Sequence, residues 1–285
     1  MKTKGKVMKY RITADSTSNL FQVSDVDFTY VPMKVITEMK EYVDTPNLNV
    51  AEMVDEIKKT KGKSGTSCPN VHDWTEAYGD ADMVFAVTIT GNLSGSYSAA
   101  MQAAEDYKEE HPGANVEVVD SLSAGPEMQL LVEKLKEDVL AEKSFEEIRD
   151  NIHEYHAHTH LLFSLQSLTN LARNGRVNPA VAAAAGVLGI RIVGKASDEG
   201  TLEPMHKCRG EKKALEAIYA EMKKHGYQGG KLRIAHCQNE KSAETLKTMT
   251  QADFPQADIQ ILECTGLCSF YAEKGGLMIG FDDLK

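Results

Sequence analysis

The chain has 285 residues, and its hydrophobic fraction of 42% and charged fraction of 26% are ordinary for a globular protein with one large core or two smaller ones. The formal net charge of −10 and the pI of about 5.4 argue against a nucleic-acid-binding protein and against a resident of anionic membrane surfaces. No apolar run approaches the roughly 20 residues of a spanning helix, and the basic segment 1–11 lacks the apolar core of a secretory signal, so we expect a short tail and no stable membrane insertion.

Strand and helix patterns alternate through the first half of the chain. Apolar runs predict strands at residues 10–14, 28–36, 83–89 and 116–119. Apolar stripes and alanine content predict helices at residues 49–61, 99–104 and 127–141. Asn49 is the expected N-cap of the first helix, and Ser144 with Glu147 forms a capping box for a further one. This alternation predicts an α/β fold in which helices cover both faces of a mostly parallel sheet.

The second half of the chain mixes hairpin and helix patterns. Strands are predicted at residues 160–165, 190–196, 201–205, 232–237 and 259–263, and helices at 167–174, 211–224 and 243–250. Asp198-Glu199-Gly200 is typical of a hairpin turn. We therefore predict a boundary near residue 158, between an N-terminal α/β domain (1–158) and a C-terminal α+β domain (159–285). Since no low-complexity linker separates them, the domains should pack closely, and the cleft between them is where a ligand would sit.

Two hydroxyl-rich segments, 66–70 and 88–97, are candidate ligand-binding loops. A corner between a strand and a helix points backbone N–H groups and hydroxyls at one spot, and the helix N-terminus adds positive potential. If Thr66 and Ser94 converge, their hydroxyls could hold a carboxylate. Supporting groups would come from Ser67, Gly95 and Ser96. The alternative is that the two hydroxyls only cap the helices that follow.

The same segment does not carry the motif of a known enzyme class. Ser94 does not lie in a Gly-x-Ser-x-Gly sequence, and no histidine follows in a matching strand-end motif. Gly91 and Gly95 do not form a dinucleotide fingerprint. Ser94 as the nucleophile of an acyl-transfer or hydrolytic enzyme remains an alternative that a turnover assay would separate from binding.

The cysteines and the histidine-rich segment 153–160 do not form a metal motif. Five cysteines without the spacing of a disulfide framework favour free thiols in a reducing cytoplasm. Cys264 and Cys268 have no second ligand pair nearby, whereas structural zinc usually needs four ligands. His153 and His156 could share a helical face, but a solvated helix end is the simpler interpretation. We predict no metal and no cofactor.

Several segments resemble, in order and spacing, the signature stretches of the DegV family, and the resemblance covers nearly the whole chain from about Met8. These segments are Ala14-Asp15-Ser16-Thr17-Ser18-Asn19-Leu20, Thr66-Ser67-Cys68-Pro69, Asn92-Leu93-Ser94-Gly95-Ser96-Tyr97, Val119-Asp120-Ser121, Asn174-Gly175-Arg176-Val177 and Lys207-Cys208-Arg209-Gly210-Glu211-Lys212-Lys213-Ala214.

This resemblance implies a two-domain α/β protein that binds one long-chain fatty acid in an internal tunnel and has no catalysis of its own. It implies that Thr66 and Ser94 hold the carboxylate, and that some members present this group to a separate fatty acid kinase. Contacts to a partner or a phosphate could come from Arg173, Arg176 and Arg209. A second alternative is an interaction protein whose pocket is vestigial or takes another small anion.

The chain departs from the family pattern at two places. Cys68 stands where the family usually carries glutamine after Thr-Ser. Near the C-terminus the family usually shows a histidine followed by Gly-Pro-Gly, whereas the matching segment here is Tyr271-Ala272-Glu273-Lys274-Gly275-Gly276. Binding tolerates such a change more easily than partnership with a kinase does.

Overall fold

The computed structural model describes residues 8–59, 62–180, 182 and 189–284. Most of the predicted N-terminal tail and the last two residues of the predicted helix 49–61 lie outside this range. The strands are β1 (Tyr10–Asp15), β2 (Phe28–Val31), β3 (Lys34–Thr37), β4 (Glu41–Val43), β5 (Ser64–Ser67), β6 (Met83–Thr88), β7 (Asn115–Asp120), β8 (Thr159–Leu165), β9 (Ile190–Ala196), β10 (Leu202–Arg209), β11 (Lys231–His236), β12 (Asp258–Glu263) and β13 (Leu277–Asp282). The helices are α1 (Val50–Lys59), α2 (Val71–Tyr78), α3 (Ser96–Glu110), α4 (Pro126–Leu140), α5 (Phe145–His156), α6 (Thr169–Arg173), α7 (Glu211–Lys224), α8 (Glu240–Asp253) and α9 (Gly266–Ala272).

The predicted parallel sheet is confirmed. Sheet A has the order β2-β1-β6-β7, and each neighbouring pair is parallel. Strand β6 is apolar on both sides from Met83 to Val87, as expected when helices cover both faces. Phe85 and Val87 pack in one core with residues of α4, whereas Val84 and Ala86 pack in another with residues of α2 and α3.

The single strand predicted at residues 28–36 is wrong, because this segment forms two strands in different sheets. β2 belongs to sheet A, and β3 is the middle strand of the small antiparallel sheet B, with the order β4-β3-β5. Pro32 lies between them and has no N–H to donate to a strand ladder, so the chain changes sheets at this point. The start of the predicted loop 66–70 is also a strand, since Thr66 in β5 pairs with Val35 in β3.

Sheet C contains the strands of the second half of the chain, in the order β10-β9-β8-β13-β11-β12. Only β11 and β12 are parallel neighbours among its pairs. The predicted hairpin is confirmed, with β9 and β10 on either side of the turn at Gly200. All strands of sheet C follow residue 158, and all strands of sheets A and B precede it. The domain boundary itself stays a prediction.

Helix α4 joins the two halves of the molecule by packing between sheets A and C. It contacts β1 and β6 on one side and β8, β11 and β13 on the other. Every residue from Pro126 to Val132 is buried. Gly280 of β13 permits this close approach, since a Cβ atom there would lie 2.5 Å from the carbonyl carbon of Pro126.

The predicted helix caps at Asn49 and Ser144 are also confirmed. The Asn49 Oδ1 atom accepts from the N–H of Glu52 at 3.1 Å, and the Ser144 and Glu147 side chains bond each other's backbone N–H groups. Within the described residues, no helix combines the length and apolar character needed to cross a membrane.

Candidate functional site

A cavity of about 300 Å³ lies between sheet C and the loops at the ends of the sheet A strands. Its floor comes from one face of β8, where Leu161, Phe163 and Leu165 alternate with Leu162, which packs in a different core, and with Ser164. Further apolar walls are provided by Met33, Ile89, Leu93, Leu122, Ala124, Leu171, Ala196, Leu202, Leu267, Ala272 and Met278. A cavity of this composition suits a hydrocarbon chain.

The middle of the floor depends on a glycine. Phe163 pairs with Gly194 of β9, and a Cβ atom at Gly194 would lie 2.4 Å from the Phe163 ring. The ring therefore occupies the space above the glycine. A side chain at position 194 would push the ring towards the cavity and shorten the space for a ligand.

The structure brings Thr66 and Ser94 to the same cavity. Thr66 lies in β5, and its hydroxyl is 2.9 Å from the hydroxyl of Tyr271 in α9, which also lines the cavity. Burial raises the pKa of the Tyr271 phenol, so the phenol is protonated at neutral pH and either hydroxyl can donate to the other. These three hydroxyl groups line one cavity together with those of Thr17, Ser67, Thr90, Ser123 and Thr201, and the other walls of the cavity are mostly apolar.

A tight turn presents the hydroxyl of Ser94 to the cavity. The N–H groups of Leu93 and Ser94 both donate to the carbonyl of Thr90 at 3.2 Å. The Ser94 Oγ atom accepts from the N–H of Ser96 at 3.3 Å, which leaves the Ser94 hydroxyl proton free to be donated to a ligand. The alternative that Thr66 caps a helix is wrong, because Asn70 is the N-cap of α2.

The residues expected to support the anion site divide into two groups. Ser67 and Gly95 line the cavity, as does Cys68, whose sulfur lies 3.2 Å from the position of a Cβ at Gly95. Ser96 does not line the cavity, since its buried hydroxyl donates to Asp15 at 2.8 Å. The structure therefore places the hydroxyl of Ser96 beneath the Ser94 loop.

Of the three candidate arginines, Arg173, Arg176 and Arg209, Arg176 lines the cavity. Its Nε donates to the carbonyl of Leu93 at 3.1 Å, next to Ser94, and its charge acts to lower the pKa of Tyr271. Arg173 ends α6 and Arg209 ends β10, and neither lines the cavity. A fixed positive charge beside three hydroxyl groups favours an anionic head group.

Two buried carboxyl groups hold these elements in place, and pattern analysis of the sequence did not identify them. Asp15 accepts from the N–H of Ile89 at 2.9 Å and thereby fixes the start of the Ser94 loop. Asp44 accepts from the N–H groups of Gly266 at 2.7 Å and Leu267 at 3.1 Å, at the first turn of the helix that carries Tyr271. Burial raises the pKa of both carboxyl groups, while these hydrogen bonds oppose the shift.

The four histidines of segment 153–160 each contact another group of this chain, away from the cavity. His153 contacts Glu117 and His156 contacts the carbonyl of Ser121, whereas His158 and His160 both contact the Asp283 carboxyl group. Across the ranges that the structure describes, no three histidine, cysteine or acidic side chains are placed to hold a metal ion.

The comparisons with known proteins agree with one another. The model of the DegV family, described as an uncharacterised protein family, matches residues 9–282. A DegV domain-containing protein of Streptococcus pneumoniae is 42% identical over 279 residues, which cover 96% of this chain and 99% of that protein. A DegV domain-containing protein of Streptococcus gordonii is 40% identical over the same length and the same shares of the two chains.

Two similar solved structures contain fatty acids. A DegV family protein from Eubacterium eligens, loaded with heptadecanoic acid, has a TM-score of 0.95 and 43% identity, covering 96% of this chain and 100% of that one. The Fatty Acid Kinase (Fak) B3 protein of Streptococcus pneumoniae, loaded with linoleic acid, has a TM-score of 0.95 and 42% identity, covering 97% of this chain and 100% of that one.

Proposed function

Because the chain belongs to the DegV family, we propose that it binds one long-chain fatty acid in its internal cavity, with the carboxylate held by Thr66 and Ser94. The observation that carries the proposal is the distribution of polarity around the cavity. Thr66, Ser94, Tyr271 and Arg176 line the same cavity, whose other walls are mostly apolar. The fatty acids bound by the two similar structures support the same ligand class.

The acyl tail supplies most of the affinity in this proposal. Burying one methylene is worth roughly 0.8 kcal/mol, so a chain of about 15 methylenes offers roughly 12 kcal/mol before the costs of binding. A charge-assisted hydrogen bond contributes about 1.5–3 kcal/mol. The hydroxyl groups therefore mainly fix the orientation of the ligand, whereas the apolar walls determine how tightly it binds.

Mass spectrometry tests the proposal directly. Native spectra of the purified protein should show a bound lipid, which extraction and lipid analysis then identify. Delipidated protein should gain the mass of one ligand when palmitate or oleate is added. Spectra that contain only the mass of the free chain, with no gain on addition of either acid, contradict the proposal.

We further propose that the chain does not itself transform the ligand. No histidine, aspartate or glutamate occurs among the described residues that line the cavity, so Ser94 has no side-chain base beside it. Incubation with acyl esters should give neither turnover nor a covalent adduct. Either product would favour the alternative of an acyl-transfer or hydrolytic enzyme with Ser94 as nucleophile.

We propose a fatty acid kinase as the protein partner, which would phosphorylate the bound carboxylate in the cytoplasm. The name of the similar Fak B3 protein supports this partner, and five free thiols support a reducing compartment. Arg173 and Arg209, which lie outside the cavity, are the candidate contacts to the kinase, whereas Arg176 is placed to contact the head group. Loaded protein mixed with such a kinase and ATP should yield an acyl phosphate. If no acyl phosphate forms with loaded protein, the kinase part of the proposal is wrong and the binding part is unaffected.

A further inference from the structure

A second cavity, of about 370 Å³, is lined by residues of helix α5, strand β8 and the β9–β10 hairpin turn. Four histidines contribute to its lining: His153, His156, His160 and His225. The ring centroids of His160 and His225 are 5.7 Å apart. None of these four rings lines the first cavity, so the proposed fatty-acid site gives them no role.

In two of these rings, one nitrogen is already bonded to a backbone carbonyl. The Nε2 atom of His156 lies 2.8 Å from the carbonyl oxygen of Ser121, and the Nδ1 atom of His225 lies 2.9 Å from that of Glu221. Because a carbonyl oxygen only accepts, these two nitrogens carry the proton and donate it. In a neutral ring the other nitrogen then has a lone pair and can accept a hydrogen bond.

Carboxyl groups hold the other two rings in the same way. The Nε2 atom of His153 lies 2.7 Å from the Glu117 carboxyl group, and that of His160 lies 3.1 Å from the Asp283 carboxyl group. Burial lowers the pKa of His156 and of His160, so both rings are neutral at pH 7. The cavity is therefore lined by imidazoles whose donors are used and whose acceptors are left for a ligand.

The charged side chains around this cavity are mainly negative. Glu127 and Asp198 line it, and Lys195 is the one lysine or arginine among its described lining residues. The Lys195 Nζ atom also lies 3.7 Å from the Glu203 carboxyl group, which offsets its charge. Burial raises the pKa of Glu127 to about 7, so a cation bound beside this carboxyl group would favour its ionised form.

Two helices end at this cavity. His156 is the last residue of α5, and His225 directly follows α7. The C-terminus of a helix carries a partial negative charge that attracts cations within its last turn. Helix α4 begins beside Glu127 with the opposite partial charge, so two negative helix ends and one positive end lie around the cavity. The backbone thus favours a cationic ligand, as the side chains do.

The spacing of the acceptors favours an extended cation over a metal ion. Among the residues that the structure describes, no three histidine, cysteine or acidic side chains are placed to hold one metal ion. A longer molecule can span separated acceptors, and Leu122, Leu161 and Leu162 supply apolar surface in the same cavity. Ammonium groups joined by short methylene chains combine N–H donors and positive charge with apolar surface.

We propose that the second cavity binds a linear aliphatic diamine or triamine. Its ammonium groups donate to the free imidazole nitrogens and pair with the carboxyl groups of Glu127 and Asp198. Its methylenes contact Leu161 and Leu162. This site is separate from the proposed fatty-acid site, so the inference goes beyond the proposed function and does not depend on it.

Titration calorimetry of the full chain with putrescine and with spermidine tests the proposal. The titrations are run at about 0.15 M salt, which screens exposed charges beyond about 8 Å. We expect one saturable site per chain for each amine. Magnesium chloride is the control, because the magnesium ion has the charge of putrescine without its N–H donors. No saturable amine binding, or magnesium binding as tight as that of putrescine, would show that the inference is wrong.

Asp198→Asn and Glu199→Gln form a matched pair of variants. Both residues are exposed in the hairpin turn, but of the two only Asp198 lines the cavity. Asp198→Asn should weaken putrescine binding by about two- to fivefold, the range for one exposed charge pair. Glu199→Gln should bind putrescine like the wild type. Equal losses in the two variants would mean that the amine only responds to the net charge of the protein, which contradicts a built site.

Lys195→Gln should change the affinity in the opposite direction. Removing the positive charge of Lys195 from the cavity should strengthen putrescine binding by about two- to fivefold. Lys207→Gln, at an exposed position of β10 that does not line the cavity, should have no effect. Thermal unfolding shows that each variant is folded. If Lys195→Gln weakens putrescine binding or leaves it unchanged, the inference is wrong.

Discussion

At the scale of single residues, removing the hydroxyl of Ser94 tests whether the protein binds the ligand or transforms it. Its Oγ accepts from the N–H of Ser96, which leaves one proton for the ligand. Ser94→Ala should weaken fatty-acid binding by roughly 1–3 kcal/mol, because one charge-assisted bond is lost while the tail stays buried. The double variant Thr66→Val with Ser94→Ala should lose more binding free energy than Ser94→Ala alone. Affinity and ester hydrolysis are measured on the same sample, and unchanged affinity with lost hydrolysis would identify a nucleophile instead.

Tyr271 should act on the ligand through Thr66. The two hydroxyls are 2.9 Å apart, so Tyr271→Phe removes the partner that orients the Thr66 hydroxyl. We expect a loss of roughly 0.5–1.5 kcal/mol in binding. The losses for Tyr271→Phe and Thr66→Val should not add in the double variant, because the two residues share one hydrogen bond. Tyr219→Phe, which removes a phenol bonded to Asp253, is the control and should bind like the wild type.

At the scale of elements, the start of α9 depends on Asp44. This carboxyl group accepts from two backbone N–H groups of α9 and from the hydroxyl of Ser16 at 2.8 Å. Asp44→Ala leaves these buried donors without an acceptor and should destabilise the fold by roughly 2–4 kcal/mol. Urea unfolding gives the free energy. A loss below about 0.5 kcal/mol, the level of an ordinary surface substitution, would contradict this role.

Glu127, in the first turn of α4, should make stability depend on pH. Burial raises the pKa of this carboxyl group to about 7 from an ordinary 4.5. The folded state therefore holds the proton more tightly than the unfolded chain does. The contribution of Glu127 to the free energy of unfolding is fully present below about pH 4.5. It is lost as the pH rises to about 7, which lowers the free energy of unfolding by roughly 3 kcal/mol.

Glu127→Gln isolates this contribution, since the amide does not titrate. Urea unfolding of both proteins across this pH range should show the wild type losing stability relative to the variant as the pH rises. Parallel curves for the two proteins would mean that Glu127 has an ordinary pKa in the folded state.

The sequence predicts some elements well because their patterns are local. Sheet A and helices α4 and α7 have long apolar runs or stripes, and the caps at Asn49 and Ser144 depend only on nearby residues. Strand β5 is Ser-Gly-Thr-Ser, without any apolar alternation, and it is a strand because β3 pairs with it. Helix α9 is buried on nearly all sides, so it has no periodicity to detect.

The candidate site was predictable in part for the same reason. Thr66 and Ser94 could be identified because each lies in a short hydroxyl-rich segment, and because both match the family's signature stretches. The contact of Tyr271 with Thr66 joins residues 205 positions apart and depends on the packing of α9, which no local pattern encodes. The roles of Asp15 and Asp44 likewise depend on which backbone groups the fold brings to them.

At the scale of the whole molecule, ligand binding should stabilise both halves of the chain together, because the cavity is lined by residues from sheet C and from the loops of sheet A. Delipidated protein should unfold at a lower temperature than loaded protein. With free ligand at about 100 times Kd, the gain should be roughly 2.7 kcal/mol. Calorimetry of both forms measures it. Equal midpoints, or a shift confined to one of two transitions, would contradict a shared site.

The contact between Thr66 and Tyr271 also bears on when a newly made chain can first hold a lipid. Thr66 leaves the ribosome early, whereas Tyr271 follows 205 residues later and reaches its place only when α9 docks beside β3 and α1. Sheet A can form well before that moment, but a nascent chain at that stage has half a head-group site and no cavity floor. Products of interrupted translation that end before β8 would therefore not sequester fatty acids, and we expect only a chain made through β13, which lies beside β8 and supplies Met278 to the cavity, to do so.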